Sequence, residues 1–553
     1  MRLLTLGLVP LLLTPLLTLT GDSCEGNPTP IPSASRLLVG AEVVTILPEV
    51  DGSTSYFDPI REAAPVALAP GDPGDEPGGV VEEWDVGSIA IGNGARYSHW
   101  VHDDIRAGAI AFTDRDHPEG KTLVLVTVDV YMLFRPDIQD VYDKVERRMG
   151  AEAYGDLDIV VSASHNHMGP DTSGLSGFMN DDYFDYLTSQ IADAIIGAVD
   201  KRSPALLKMA NSRYQFGLAD SYAPYITDPS LNSLQVLDYE NPDQVLATVV
   251  QWQNHPEDTL GFGDDVLATP EQAEYLKSVG ECLSNDDGET CHVEGQFISA
   301  GFPGETVRHI TAETGAPALY FTGPVGGLLA PLHAYVWETE GPTGVPAGDG
   351  FVIPEDADFI PKNFHKQEVN GNELGKRVLS DLAGGEVIAD PPIRWRMDEF
   401  FGRLGNVVFR AGMVLSSTRK PLVIGKNPRD LWICPDGGPY NEESCEHDNF
   451  EDDPDPYLRA PIRRGDWGKT EVWYATIGPM SLLTAPAEVV SELTEGLPAD
   501  FVEDPRNEYY VSDSNRHNNV AAEDYDTEGY VRQLMDGRYK WNFGLTPDQL
   551  GYM

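Results

Sequence analysis

Leu157-Asp158-Ile159-Val160-Val161-Ser162-Ala163-Ser164-His165-Asn166-His167-Met168-Gly169-Pro170 is the stretch on which the reading of this chain turns. Its opening residues, rich in β-branched side chains, read as a buried strand, and Gly169-Pro170 then breaks the chain into a turn. Side chains at i and i+2 of a strand share a face, but the strand is ending here and the loop can splay His165 and His167 apart. One can then ligate a metal while the other faces a substrate. Taken alone, two histidines in a polar loop are equally well read as satisfied hydrogen-bonding residues. The rest of the chain decides between these readings.

Apolar runs of strand length occur at Leu37–Val44, Gly108–Thr113 and Thr122–Val130. Arg135–Gly150 is an amphipathic helix with Ile138, Val141, Tyr142, Val145 and Met149 on one face and Gly150 as its stop. Tyr183–Val199 is a second helix, and Ser233–Leu237 and Val245–Trp252 are two further strands, the latter ending in Asn254-His255-Pro256. Thr269-Pro270-Glu271 opens a helix with Pro in its first turn. Ala318–Phe321 is a short strand leading into the tight loop Gly323–Gly327, and Asn370–Leu382 is helical. Beyond residue 385 the pattern turns strand-like, with Thr470–Thr484 folding around Gly478-Pro479 and running into Ala485-Pro486-Ala487-Glu488 and a helix to Leu493. Residues 49–84 are Pro-, Gly- and acid-rich and read as an irregular insertion. Strands and helices alternate over residues 105–265, so the chain reads as an α/β domain: a large mixed sheet with helices packed on it and a β-rich second half.

With 89 acidic against 38 basic residues the formal net charge is -51, and no basic stripe interrupts it. That argues against a nucleic-acid partner, which needs clustered Lys and Arg, and disfavours an anionic membrane surface. An acid-rich, solvated coat is the simplest account. Met1-Arg2, the Leu-rich run Leu3–Leu17 and the exit Thr18-Leu19-Thr20-Gly21 read as a signal peptide over residues 1–23, too short and too Pro-interrupted to span a bilayer. Residues 24–36 form a flexible leader, and 37–553 the domain. Export agrees with two local disulfides, Cys282–Cys291 and Cys434–Cys445. Cys24 is left over and offers a site for a lipid anchor, the single route to a membrane in this reading. The oligomeric state is not legible.

Three strand ends carry candidate metal ligands beside Pro or Gly: His165 with His167, His255 before Pro256, and Glu488 after Pro486. Two histidines and a carboxylate suit zinc, and an open fourth position would let the ion hold and acidify a water. Gly-x-Ser-x-Gly, GxxxxGK[ST] and a strand-linked GxGxxG are absent, which removes serine α/β-hydrolase and nucleotide-binding readings.

Taken in order, these blocks resemble the neutral (non-lysosomal) ceramidases over roughly residues 37–535. Ser162–Pro170 is similar to that family's Ala-Thr-His-Thr-His-Ser-Gly-Pro block, and Val101-His102-Asp103-Asp104-Ile105-Arg106-Ala107-Gly108-Ala109 to its Val-His-Asp-Pro-Leu segment. Val126–Asp129 resembles the Val-Ser-Val-Asp strand, Gln251–Pro256 the second histidine block, and Ala485–Glu488 the Pro-Gly-Glu block. The resemblance implies a ceramidase-like catalytic domain lacking the C-terminal immunoglobulin-like domain of longer members. It implies zinc held by His165, His255 and Glu488, with His167 and His102 on the catalytic side, and hydrolysis of an N-acyl amide in a small or lipid-like substrate.

Three departures stand against the family pattern. Ala330 occupies the position of the family's serine, no arginine stands near Asp220-Ser221-Tyr222, and the tyrosine that completes the ligand set has no clear counterpart, His517 and Tyr525 being the nearest. The resulting expectation is a secreted or surface-tethered zinc-dependent amide hydrolase. The competing expectation is a non-catalytic relative that binds without turnover because the serine is gone.

Overall fold

The computed structural model describes residues 35–47, 89–92, 100–117, 119–173, 181–220, 226–258, 297–328, 334–338, 358–360, 364–403, 467–496 and 530–552, with short strand segments at 266–267, 283–284, 291–293, 432–433 and 446–447. All belong to one compact unit, Ser35–Met553. The expected signal peptide and leader, the 49–84 insertion, the helix at Thr269, Cys24, Cys282, Cys434, Cys445, Ala330, His517 and Tyr525 fall on residues outside this set, so neither expected disulfide has both of its cysteines described. Among the described residues no helix is long and apolar enough to cross a membrane.

Residues 37–388 build a mixed sheet. Its strands are β1 (Leu37–Thr45), β2 (Arg106–Asp114), β3 (Thr122–Val128), β4 (Leu157–Ala163), β5 (Ser203–Arg213), β6 (Ser230–Asp238), β7 (Val245–Trp252), β8 (Ala318–Thr322) and β9 (Glu386–Ile388). The order is β8-β7-β6-β5-β1-β2-β3-β4, with β9 added beside β5. The β3–β4 and β7–β8 pairs are parallel, and the other ladders are antiparallel. Helix α1 (Arg135–Met149) joins β3 to β4, and α2 (Asp181–Asp200) follows β4.

Alternation along the strands assigns each face. Ala107, Ala109 and Ala111 of β2 and Ile159 and Val161 of β4 point into a core shared with Ile138, Val141 and Val145 of α1 and Leu187, Ile191 and Ile195 of α2. Ile110 and Phe112 of β2 and Val160 of β4 point the other way. There they meet a second, four-stranded sheet, ordered β10 (Ile393–Arg403), β11 (Trp467–Ile477), β12 (Met480–Thr484) and β13 (Tyr539–Phe543). Trp473, Ile477, Leu482 and Trp541 supply its side of that core. Covered on both faces, β3 is buried at every residue, which is why it reads as a continuous apolar run.

A third core packs α3 (Gly301–Thr314) and α4 (Phe364–Ala383) over β7 and β8 through Phe302, Ile310, Leu374, Val378, Trp252 and Tyr320. Two of these elements escape the sequence reading. β5 begins Ser-Pro and mixes Lys, Asn and Ser into its alternation. α3 opens Gly-Phe-Pro-Gly, which looks like a turn, although Pro is tolerated in a first helical turn, and it buries Glu305 and Thr306. α4 starts at Phe364, six residues before the expected Asn370. The helix expected after Glu488 is a single turn beginning at Ser491, and Glu488 itself is extended, bridged to Tyr552.

The ladder between β1 and β5 is two residue pairs long, and the far ends of the sheet come back into contact. Thr127 Oγ of β3 donates to Tyr320 O of β8 (2.7 Å), and Thr322 Oγ donates to Ser164 O (2.7 Å). That closure places the end of β4 beside the ends of β7 and β8.

α3 and α4 approach so closely that a Cβ on Gly371 would lie 2.3 Å from Glu305 Cβ and 2.6 Å from Phe302 O. Backbone cannot yield cheaply at that distance, so Gly371→Ala should destabilise the protein by about 1–3 kcal/mol, measured as a lower urea midpoint at unchanged m-value.

Candidate metal centre

His165 sits two residues past the end of β4 with φ 62°, the left-handed region that a β-branched or bulky residue seldom occupies. Such a conformation costs on the order of 1–3 kcal/mol and persists where surroundings over-determine it. Here they do. Ser164 N donates to Val128 O (2.9 Å), Asn166 N to Val130 O (3.1 Å) and His167 N to Pro256 O (3.0 Å). Asn166 Nδ2 donates to Ser299 O (2.6 Å) while its Oδ1 accepts from Met168 N (3.1 Å). The kink turns the two rings 89° apart with centroids at 4.6 Å, so both side chains reach one point instead of sharing a strand face.

The His255 loop and the Glu488 loop are tied to the same place. His255 N donates to Leu328 O (3.2 Å), and Gly326 N donates to Val489 O (2.8 Å). One ring nitrogen from each of His165, His167 and His255 lies within 4.8 Å of the others, and all three residues are buried. Glu488 Oε2 lies 3.6 Å from His165 Nε2 and 3.3 Å from His255 Nε2. Burial pushes the Glu488 carboxyl up, but His165 and His255 together hold it well below the usual carboxylate range. Burial, reinforced by the neighbouring imidazoles, holds His167 well below an ordinary histidine, and burial likewise lowers His255. Burial thus disfavours the charged forms of His167 and His255, and the neutral imidazole is the form that ligates a divalent cation.

The far nitrogens are engaged elsewhere. His165 Nδ1 is 2.8 Å from Tyr131 O, His255 Nδ1 is 3.2 Å from Leu328 O, and His167 Nδ1 is 3.6 Å from Glu257 Oε2. At His165 and His255 the partner is a backbone carbonyl, which can only accept, so Nδ1 carries the proton and Nε2 keeps the lone pair, the arrangement typical around metal-ligating histidines. His255 Nε2 and Glu488 Oε2 are buried without a well-directed hydrogen bond. The donor set of imidazoles and one carboxylate therefore fits a zinc-type ion.

Tyr131 and Glu257 belong to this site although the sequence reading names neither. The Tyr131 ring stacks on His165 (5.0 Å) and meets His167 edge-on (4.7 Å), and burial followed by the charge of Glu488 raises its phenol. Burial, then the charges of Glu488 and Asp258, push the Glu257 carboxyl up to about 8. Their signal in the sequence is slight: each stands a few residues past a strand end, Glu257 two beyond His255.

His102 lies outside the ligand-atom group. Its Nδ1 pairs with Asp103 Oδ2 (2.6 Å), and its ring stacks on Phe364 at 3.8 Å. Asp103 in turn accepts from Ser299 Oγ (2.6 Å), Ala300 N (2.5 Å) and Gln367 Nε2 (3.2 Å). This buried network touches the histidine loop through Ser299, whose N donates to Met168 O (3.1 Å).

The architecture is that of a neutral-ceramidase-like fold. The crystal structure of neutral ceramidase from Pseudomonas aeruginosa superposes with a TM-score of 0.50 at 14% identity, over 94% of this chain and 69% of that one. A ceramidase complexed with C2 superposes with a TM-score of 0.50 at 15% identity, over 94% and 70%. No family model matches the sequence, and no curated protein does.

Burial pushes the Asp103 carboxyl up, but its hydrogen bond and charge interaction with His102, with Ser299 and Ala300 adding to them, leave it below the ordinary range. A carboxyl depressed on folding stabilises in full above its unfolded value near about pH 4, and that contribution is lost as pH falls through the folded value. Asp103→Asn should lower stability at neutral pH and flatten the acid limb of the stability curve below about pH 4, read by urea unfolding across pH.

Proposed function

We propose that the chain is an exported zinc-dependent hydrolase that cleaves an N-acyl amide bond in a small, lipid-like substrate. One observation carries the reading: three buried imidazoles lie with ring nitrogens within 4.8 Å of one another, and the buried Glu488 carboxylate stands 3.6 and 3.3 Å from two of them, all drawn from strand ends far apart in sequence. Structural padding does not require four metal-type donors to be desolvated together, and burying them costs several kcal/mol unless something binds there. The ceramidase-like fold supports the choice of amide chemistry, and the Leu-rich first segment supports export.

His165, His255 and Glu488 would hold the ion, with His167 as a further ligand or as the residue beside it that meets the substrate. Zinc bound there supplies Lewis-acid chemistry, polarising an acyl carbonyl and acidifying a water. The chain's own residues set the conditions. Tyr131 O, Leu328 O and Glu257 orient the rings, and the Tyr131 ring and the packed loops exclude bulk water, which strengthens every charge interaction in the pocket.

Purified protein should contain about one zinc per chain, and His165→Ala and His255→Ala should each lose the metal and reduce turnover of N-acyl amides by at least about a thousandfold. Full activity in chelator-treated, metal-free protein would overturn the proposal. Stoichiometric zinc with no turnover across a panel of amides and esters would instead establish a binding protein.

A further inference from the structure

The carboxylate of Glu488 has two oxygens, and the structure uses them differently. Oε2 faces His165 and His255. Oε1 accepts a hydrogen bond from Gln549 Nε2 at 2.6 Å, with both side chains buried. The orientation of that amide is set independently, because Gly551 N–H donates to Gln549 Oε1 (3.4 Å), which leaves Nε2 as the end that reaches Glu488.

Gln549 lies on a segment, 544–552, that is stitched to two of the three ligand-bearing strand ends, the Glu488 loop and the end of β4. Leu545 N donates to Ala487 O (3.0 Å), Leu550 N to Pro486 O (2.8 Å) and Glu488 N to Gly551 O (3.0 Å). On the other side Thr546 Oγ donates to Ser162 Oγ (2.7 Å), and Ala163 N reaches Leu545 O (3.4 Å). The backbone of this segment therefore fixes where Gln549 stands before its side chain makes any contact.

We infer that Gln549 is a positioning residue of the metal centre: by occupying Glu488 Oε1 it holds the carboxylate so that Oε2 alone is presented to the ion. A carboxylate free to rotate could offer either oxygen, or both, and would lose rotamer freedom each time the ion bound. The Gln549 amide removes that freedom in advance. This rests on the cluster being a metal site, and the test separates the two ideas.

Gln549→Met keeps the side-chain volume without the donor, and Gln549→Asn keeps the amide but is too short to reach. Zinc Kd is measured for each by competition with a chromophoric chelator, together with the visible absorption of the cobalt-substituted protein and the thermal midpoint of the metal-free form. Both variants should bind zinc about 10–100-fold more weakly, with a changed cobalt spectrum and a metal-free midpoint close to that of the parent. Thr546→Val, which loses the Ser162 contact but leaves Glu488 untouched, should keep zinc affinity within about threefold. Unchanged zinc affinity and cobalt spectrum in both Gln549 variants would overturn the inference while leaving the metal centre intact. Equal weakening in Thr546→Val would overturn it in favour of a general brace. A parent protein that binds no zinc would overturn the proposed function itself.

Discussion

Glu488 is an ionised carboxylate in the protein interior, and much of the arrangement around it follows from that. A buried charge without compensation costs several kcal/mol and would neutralise by taking up a proton. Here the charge and hydrogen-bond interactions with His165 and His255 offset the desolvation and hold the carboxyl well below its usual range. Those two imidazoles come from loops 90 residues apart in the chain, and Glu488 comes from a different sheet. The three can meet only if both sheets stack and the ends of the larger one return to each other.

The stacking is driven by ordinary packing. Alternate residues of β2 and β4 feed two cores, one filled by helices and one by the second sheet, so each strand is held from both faces. On that base, backbone hydrogen bonds stitch the loops: His167 N to Pro256 O, His255 N to Leu328 O, and Gly326 N to Val489 O. These bonds fix loop positions without spending side chains, which remain available for the site. The left-handed backbone at His165 is the local cost of that arrangement.

Much of this was readable in advance, and the parts that were not have identifiable reasons. Buried strands with both faces covered, such as β3 and β4, announce themselves as apolar runs, and α1 shows its periodic face. β5 and α3 do not, because Pro, Gly and polar residues at their starts imitate turns and their burial depends on partners far away in sequence. His165, His255 and Glu488 stood out because each follows a strand and lies beside Pro or within a turn. His167 was read as facing a substrate, and its ring lies within the same group of ligand atoms as the other two histidines. Tyr131 and Glu257 carry only the slight signal of standing past a strand end, and the role of Gln549 exists only through neighbours brought up by the fold.

By itself the sequence determined the residue types and their placement at strand ends, because hydrophobic periodicity and Pro/Gly breaks are local properties of the chain. It also determined the acid-rich character of the whole, since charge is additive. Tertiary structure alone decided that three distant strand ends converge, that His102 belongs to a neighbouring network rather than to the ligand group, and that Gln549 meets Glu488. Those outcomes depend on which faces pack together and where a sheet closes on itself. They depend also on the desolvation that turns a polar side chain into a strong ligand, and no local stretch of sequence contains any of these.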